Sequence, residues 1–540
     1  MKLYSVIGSL VASLDTDAMF GVMGDANLEL VASFRDQGHR YVRAVHETGA
    51  VVMADAYFRA SGRMGIATVT HGPGLTNAIT GLTEAVRARS EVLLISGTTP
   101  PDPMDPGYEQ RIDLQQVAAT AGAIYEQVYT PASVGRDLTR ALQRMRSERR
   151  PVLLDVPARM VHDDCPEPQT LEPIAWAGPR RPTESELDAT LGLITSANRP
   201  IIIAGRGAVV SGAASSLVEL AENIGALLGA SVLAKDIFAR EKRNIGIMGN
   251  LSHEAAQNAL AEADCIISFG ASLNSMTVAD GDLIRGKKIV HVDLDPAAIN
   301  HFSRADQCIV GDAKAVADAM NDVLRETGWT ARHTDWVDRH ISALASHSTA
   351  LTDEHIADGF VDVRAAAAAL NDALPESFGV VSDVGRYNAG TWPYIHADDP
   401  RDFLGISAFA SIGLGVAGAI GAAIARPGLP IVLLVGDGGL MMSVSEISTA
   451  VREQLPIIIA VFNDDVYGFE YFRLERFGFD PDYSKNDFAD FAGIAQGFGA
   501  PGRTVRSVDD IDACTDLWRA GLTGPVLLDV KIDPAHNLIQ

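Results

Sequence analysis

Residues 431–470 read IVLLVGDGGLMMSVSEISTAVREQLPIIIAVFNDDVYGFE. Ile431 to Val435 is an apolar run of strand length that stops at Gly436-Asp437-Gly438-Gly439. Ser443 to Gln454 follows with Val444, Ile447 and Val451 at helical spacing. A second apolar run, Pro456 to Phe462, stops at Asn463-Asp464-Asp465. This is a strand–helix–strand unit with carboxylates just past the end of each strand. In a parallel sheet both ends lie on one edge, the edge where open α/β folds bind ligands. Asp437 and Asp464, 27 positions apart, therefore share one candidate site.

Two convergent carboxylates are hard oxygen donors of the kind that hold Mg²⁺ or Ca²⁺, cations that keep waters and bind phosphates. The glycines let backbone approach closely, and N–H groups at the start of the following helix favour an anion. Spacing alone thus suggests a metal bridged to a diphosphate. Two solvated turns after two strands would be written with the same residues, so both readings stand at this point.

The pattern GDG, then one strand-and-helix length, then an Asn/Asp pair resembles the thiamine-diphosphate motif, and SEISTAVREQLP between them resembles the acetolactate synthase, benzoylformate decarboxylase and pyruvate decarboxylase family. The resemblance implies that Asp437, Asp464 and the Val466 carbonyl bind Mg²⁺. It also sets Gly436, Gly438 and Gly439, with Tyr467, Gly468 and Phe469, around the diphosphate. Relatives often have Asn where Asp464 stands and Ser where Gly439 stands.

Composition bounds the remaining classes. The 540 residues suffice for about three domains. A net charge of −25 argues against nucleic acid and anionic membranes as partners. Cys165, Cys265, Cys308 and Cys514 form no CxxC pair, which fits a reduced cytoplasmic setting and excludes a zinc signature. The N-terminal apolar stretch to Leu14 reads as a first helix, not a leader, because Asp15 and Asp17 follow at once. Phe403 to Ala425 carries no charge but is mostly Gly, Ala and Ser, so a buried loop and helix is expected there in place of a membrane span. It contains a formal GxGxxG (Gly413-Leu-Gly415-Val-Ala-Gly418) without the strand and acidic residue that a dinucleotide site needs.

Strand-like and helix-like segments alternate along the whole chain, which predicts an α/β protein with three domains of parallel sheet and flanking helices. The family match makes these a pyrimidine-binding domain over 1–165, a central domain over 185–330 and a diphosphate-binding domain over 361–540. Segments 164–184 and 330–360 read as connectors. The first and third domains are expected to carry similar sheets. In the central domain the resemblance leaves FAD or ADP open, and Gly205-Arg206-Gly207 does not decide it.

The resemblance extends to further residues. Glu47, in RxxHExGAxxMADxYxRxxG, matches the Glu that hydrogen-bonds N1′ of the aminopyrimidine and promotes the tautomer that takes the proton from thiazolium C2. A helix-start carboxylate would look the same. THGPGLTN (70–77) resembles the loop over the cofactor and brings in Asn77; His71 stands where many relatives have a small residue, as a proton relay or a structural His. Asp25, in GDANL, and Glu470 match acidic residues of pyruvate decarboxylase, but 98–116 lacks that enzyme's paired histidines. Gly385, Tyr387 and Asn388 lie in the loop that contacts the diphosphate, where relatives often show His and Gln at the last two positions. Ile412 matches the apolar prop under the bent cofactor. Tyr108, Gln110, Phe469 and Phe472 border the substrate by the same match.

Together these imply thiamine-diphosphate-dependent decarboxylation of a 2-oxo acid, ending in an aldehyde or in carboligation to a second carbonyl. Cleavage of a 2-hydroxy ketone or 2-hydroxyacyl-CoA is the alternative in the same class; an inactive cofactor-binding subunit is the alternative outside it. The family places active sites between subunits, so a homodimer or homotetramer is expected.

Overall fold

The computed structural model describes residues 1–99, 109–166, 169–173, 178, 180–331, 335–346, 356–487 and 490–536. It contains three six-stranded sheets. The first comprises β1 (Ala18–Gly21), β2 (Arg40–Arg43), β3 (Gly65–Thr68), β4 (Val92–Ser96), β5 (Ile124–Gln127) and β6 (Val152–Asp155), in the order β2-β1-β3-β4-β6-β5. The second comprises β7 (Pro200–Ala204), β8 (Leu227–Ala230), β9 (Asn244–Ile247), β10 (Cys265–Phe269), β11 (Lys288–Asp293) and β12 (Gln307–Val310), in the order β12-β11-β10-β7-β8-β9. The third comprises β13 (Gly379–Ser382), β14 (Phe403–Gly405), β15 (Ile431–Gly436), β16 (Ile457–Asn463), β17 (Gly502–Val505) and β18 (Val526–Lys531), in the order β14-β13-β15-β16-β18-β17. Strand pairs with a described register are parallel. This is the α/β architecture expected from the alternating pattern.

The first and third sheets have one winding: the second strand lies outside the first, and the sixth lies inside the fifth. Their sixth strands even share the sequence PVLLDV, at 151–156 and 525–530. Both sheets fall in one compact unit, residues 1–175, 354–395 and 404–540, while 176–353 and 396–403 form the other. Central strands such as β15 and β16 are buried along almost their whole length, because helices cover both faces of a parallel sheet.

Of the buried loop and helix expected in the uncharged stretch before β15, the helix is buried but the loop is not: Ala408, Phe409 and Ala410 are exposed. Helix Gly415–Ala425 is buried at every position and packs on helix Glu47–Ser61. Gly421 permits this: a Cβ there would collide with the Met53 carbonyl. No helix among the described residues is long and apolar enough to cross a membrane.

Several local expectations needed correction. The helix expected over 443–454 begins instead at Asp437 and runs in three pieces: Asp437–Ser443, a 3-10 turn at Val444–Glu446, and Ile447–Arg452. In the central domain the strand-like ASVLAKD (230–236) is not a strand beyond its first residue: β8 ends at Ala230, and Val232–Ala234 is a 3-10 turn. The edge strands β5, β9, β12, β14 and β17 were not expected. They are three or four residues long, and most are only partly buried, so no apolar run marks them.

Candidate active site

Three adjacent strands of the third sheet, β13, β15 and β16, each end in an aspartate: Asp383, Asp437 and Asp464. All three are buried, at 0%, 3% and 8% exposure. The register pairs Ser382 with Leu434 and Gly436 with Phe462, so the strand ends lie side by side. Burial of like charges is costly, and it pushes the Asp437 carboxyl up to about 8, with the Asp464 charge adding to the shift. Burial also raises Asp464, against the pull of Arg386.

This pair has the chemistry of a cation site. Oδ1 of Asp437 accepts the Gly438 N–H at 2.8 Å, while Oδ2 is buried without a partner. Among the described residues no cluster of three or more His, Cys, Asp or Glu side chains could hold a metal alone. A cation here needs oxygens from outside the side-chain set, as Mg²⁺ bound to a phosphate has. Asn463 takes no part in the pair: its Nδ2 donates to Asp529 at 2.9 Å.

Asp383 has another task. Its Oδ2 accepts the N–H groups of Gly413 (2.9 Å) and Gly415 (3.1 Å), and its Oδ1 accepts that of Val384 at 2.7 Å. Complete burial raises it to about 7. These bonds fix the loop that carries Ile412, a half-buried apolar side chain. Gly439 belongs to the same knot, since a Cβ there would stand 3.0 Å from Asp383 Oδ2.

The loop after β13 is largely committed to the protein itself. Tyr387 lies over Gly385 and Gly436, stacks on Phe462 at 5.5 Å and donates to the Leu434 carbonyl. Asn388 donates to the Asp383 carbonyl and accepts from Ser382. After β16, Val466 is buried and the Tyr467 ring covers Gly438. Phe469 is 48% exposed, and Glu470 is exposed on helix Gly468–Arg476.

The first sheet carries the other group. Glu47 opens helix Glu47–Ser61, and its Oε2 accepts from Asn77 Nδ2 at 3.0 Å. Gly74 lies 3.5 Å from Oε1, measured from an added Cβ, and touches Thr70, which also meets Gly24. Glu47, Asn77 and the loops of Asp25 and His71 therefore share the C-terminal edge of this sheet. His71 is buried and hydrogen-bonded to Gln110; burial lowers its pKa, and exposed Asp25 opposes that shift. Tyr108 lies outside the described residues. Among the described residues, no hydrogen bond or ion pair within one chain joins Glu47 to Asp437 or Asp464.

Two buried glutamates link the sheets, and sequence reasoning missed both. Glu446 Oε1 accepts Val45 N–H (2.9 Å) and His46 N–H (3.0 Å), the residues just before Glu47. Glu84 accepts Ala408 N–H (2.9 Å) and Phe409 N–H (2.6 Å), in the loop leading to Ile412. Each belongs to the helical segment after the third strand of its sheet and clamps the approach to the helix after the other sheet's second strand. A lone Glu among apolar helical neighbours was the available signal. In the central domain, Gly205 and Gly207 donate their N–H groups to Phe269 (2.9 Å) and Gly270 (3.1 Å), so nothing in that turn argues for FAD.

Two identically wound sheets, one ending in a buried acidic pair and the other presenting a helix-start Glu, define a class that the comparisons identify. Models of the N-terminal binding domain, the central domain and the C-terminal binding domain of thiamine pyrophosphate enzymes match residues 1–118, 187–320 and 383–530. The chain belongs to the thiamine pyrophosphate enzyme family, and thiamine diphosphate is its cofactor. Among its relatives, the sulfoacetaldehyde acetyltransferase of Alcaligenes xylosoxydans xylosoxydans is 28% identical, covering 91% of this chain and 86% of its own. A probable acetolactate synthase large subunit of Methanocaldococcus jannaschii is 27% identical, with 98% and 92% covered. The acetolactate synthase isozyme 2 large subunit of Escherichia coli (strain K12) is also 27% identical, with 97% and 94% covered.

Proposed function

We propose that this protein is a carboligase of the acetolactate synthase type: it removes CO₂ from a 2-oxo acid and joins the remaining unit to a second carbonyl compound. The observation that carries this reading is the buried Asp437–Asp464 pair with its unpartnered Oδ2, set on the sheet wound like that of Glu47. Bound thiamine diphosphate supplies the electron sink for loss of CO₂.

The residues supply the rest. Asp437, Asp464 and the Val466 carbonyl would hold Mg²⁺ at the diphosphate end, where Gly385, Gly436 and Gly438 leave room for the Tyr387 and Tyr467 rings and Gly439 for Asp383. Tyr467, Gly468 and Phe469 flank that end, and Tyr387 and Asn388 brace it from inside. Ile412, half-buried, would supply an apolar contact to the bound cofactor. Glu47, oriented by Asn77, holds a hydrogen bond to N1′ and so controls protonation of the aminopyrimidine. His71, whose pKa burial lowers against the pull of Asp25, is the proton relay at the substrate; Glu470 is assigned to the same end by family match.

We further propose a homodimer or homotetramer with active sites between subunits. The Glu47 and Asp437 groups are unjoined within one chain, and apolar Val45, Met441, Met442 and Phe469 stand exposed beside them. A mixed assembly of Glu47→Gln and Asp437→Ala subunits should then retain one intact site. The four cysteines are all free thiols, which supports a cytoplasmic location.

The deciding experiment incubates the protein, thiamine diphosphate and Mg²⁺ with a panel of 2-oxo acids and with acceptors that include sulfoacetaldehyde. Products and CO₂ are followed by mass. CO₂ release with a ligated product is expected. Cleavage of 2-hydroxy ketones without CO₂ release from any 2-oxo acid overturns the reading.

A further inference from the structure

Asp464 places a second buried carboxylate beside Asp437, at the end of the neighbouring strand. A buried pair of like charges is held only if something nearby offsets it. The offset is Arg386, from the loop after β13. Its Nη2 lies 2.6 Å from Asp464 Oδ2, and the side chains are 4% and 8% exposed.

Arg386 is held on every side. Nη1 donates to the His536 carbonyl and Nη2 also reaches the Asp533 carbonyl at 3.5 Å. The guanidinium sits 5.0 Å from the centre of the Phe472 ring. Nε is buried without a partner and presses on Gly468, where an added Cβ would lie 2.7 Å away. A guanidinium fixed in this way cannot swing off Asp464. It occupies Oδ2 and leaves Oδ1, which the Val466 N–H touches only at 3.4 Å.

We propose that Arg386 is a positioning residue for the cation site: it turns Asp464 into a charge-neutralised ligand offering one oxygen, so that the Asp464–Arg386 pair does the work of a single amide. This rests on the metal site proposed above. An uncompensated Asp437–Asp464 pair would attract a divalent cation strongly without any diphosphate. With Arg386 in place the site carries at most the charge of one carboxylate, that of Asp437, and firm cation binding waits for the diphosphate.

The test is a double-mutant cycle read by Mn²⁺ binding in electron paramagnetic resonance, without and with thiamine diphosphate, with thermal unfolding to establish folding. Arg386→Gln alone should bind Mn²⁺ without diphosphate at least about tenfold more tightly than the unmutated protein, because a competing buried cation is gone. Asp464→Asn alone should bind it most weakly, since the guanidinium is then unopposed. The double variant should return to within about threefold of the unmutated protein, with and without thiamine diphosphate, as expected of a coupled pair. If Arg386→Gln does not fold, the double variant decides. A folded double variant that has lost cofactor-dependent Mn²⁺ binding overturns the proposal, as does an Arg386→Gln protein whose Mn²⁺ affinity is unchanged or lower. Absence of Mn²⁺ binding in the unmutated protein, even with thiamine diphosphate, overturns the metal site itself.

Discussion

The first and third sheets share a strand order, yet their ligand edges differ in kind. The third ends in three buried aspartates on neighbouring strands, held by backbone N–H groups and one guanidinium. The first ends in an exposed Asp25, a buried His71 whose pKa burial lowers, and a Glu47 whose described side-chain hydrogen bond is to Asn77. One scaffold thus presents two edges, one that gathers buried carboxylates on neighbouring strands and one that spaces Asp25, His71 and Glu47 over separate loops. The difference teaches that winding supplies the position of an edge, and strand-end residues supply its chemistry.

The strongest way to break this contrast is Asp437→Ala. If the third edge is a cation site, the variant loses thiamine diphosphate binding altogether, well past the 10–100-fold loss typical of removing a group that only supports a metal ligand. Calorimetry showing affinity within about tenfold of the unmutated protein would remove the distinction between the edges. Asp464→Asn keeps an oxygen donor but leaves Arg386 unopposed, so its loss should fall between that of Asp437→Ala and none.

The first edge should answer differently. Glu47→Gln keeps the size and the bond to Asn77 but not the charge. Cofactor affinity should change by no more than about 1–2 kcal/mol, the scale of one hydrogen bond. Turnover should fall by about 10²–10⁴-fold, as when a positioned acid–base group is lost. Exchange of the cofactor's C2 proton in heavy water, followed by NMR, should slow in step. Unchanged exchange and turnover would leave Glu47 as an ordinary helix-start carboxylate.

The edges should also titrate with opposite sign in the cofactor-free protein. Asp437 and Asp383 are raised to about 8 and about 7 from 3.8, so the fold favours their protonated forms. That stability is complete below the unfolded value and is lost as pH rises from about 4 through 8, by at most about 1.4 kcal/mol per pH unit for each proton released. His71 is lowered by burial, so its contribution is present above its usual 6.5 and fades as pH falls below it. Thermal unfolding across this range should show Asp437→Asn losing part of the alkaline slope only. An identical slope in both proteins would show that Asp437 is not protonated in the fold.

Much of this contrast is legible in the chain. Buried runs such as IVLLV and IIIAV announce central strands, and the residues that stop them are the site. Edge strands are not legible, because β14 and β17 are short and their neighbours select them through backbone bonds that side chains do not encode. Asp383 and Arg386 lie in the loop already matched to the diphosphate, but their partners, like those of Glu84 and Glu446, were not legible for a related reason. Each acts on a segment distant in sequence, and only the fold brings Arg386 to Asp464 or Glu446 to His46.

Those two glutamates give the finest test of the likeness between the sheets. They are related by topology, but their oxygens are used differently. Glu84 takes one N–H on each oxygen, Ala408 on Oε1 and Phe409 on Oε2. Glu446 takes both N–H groups on Oε1 and gives Oε2 to the Thr449 hydroxyl at 2.7 Å. In Glu84→Gln, the amide NH₂ must face one backbone N–H, so a buried donor goes unsatisfied at a cost of about 1–3 kcal/mol. In Glu446→Gln, the amide oxygen keeps both N–H groups and the Thr449 hydroxyl can turn to accept from the NH₂. That exchange should cost less than about 1 kcal/mol, near the net value of one hydrogen bond. Denaturant unfolding of the two variants should therefore rank Glu84→Gln clearly below Glu446→Gln. Equal losses would mean that the clamps are interchangeable and that their different geometry carries no energy.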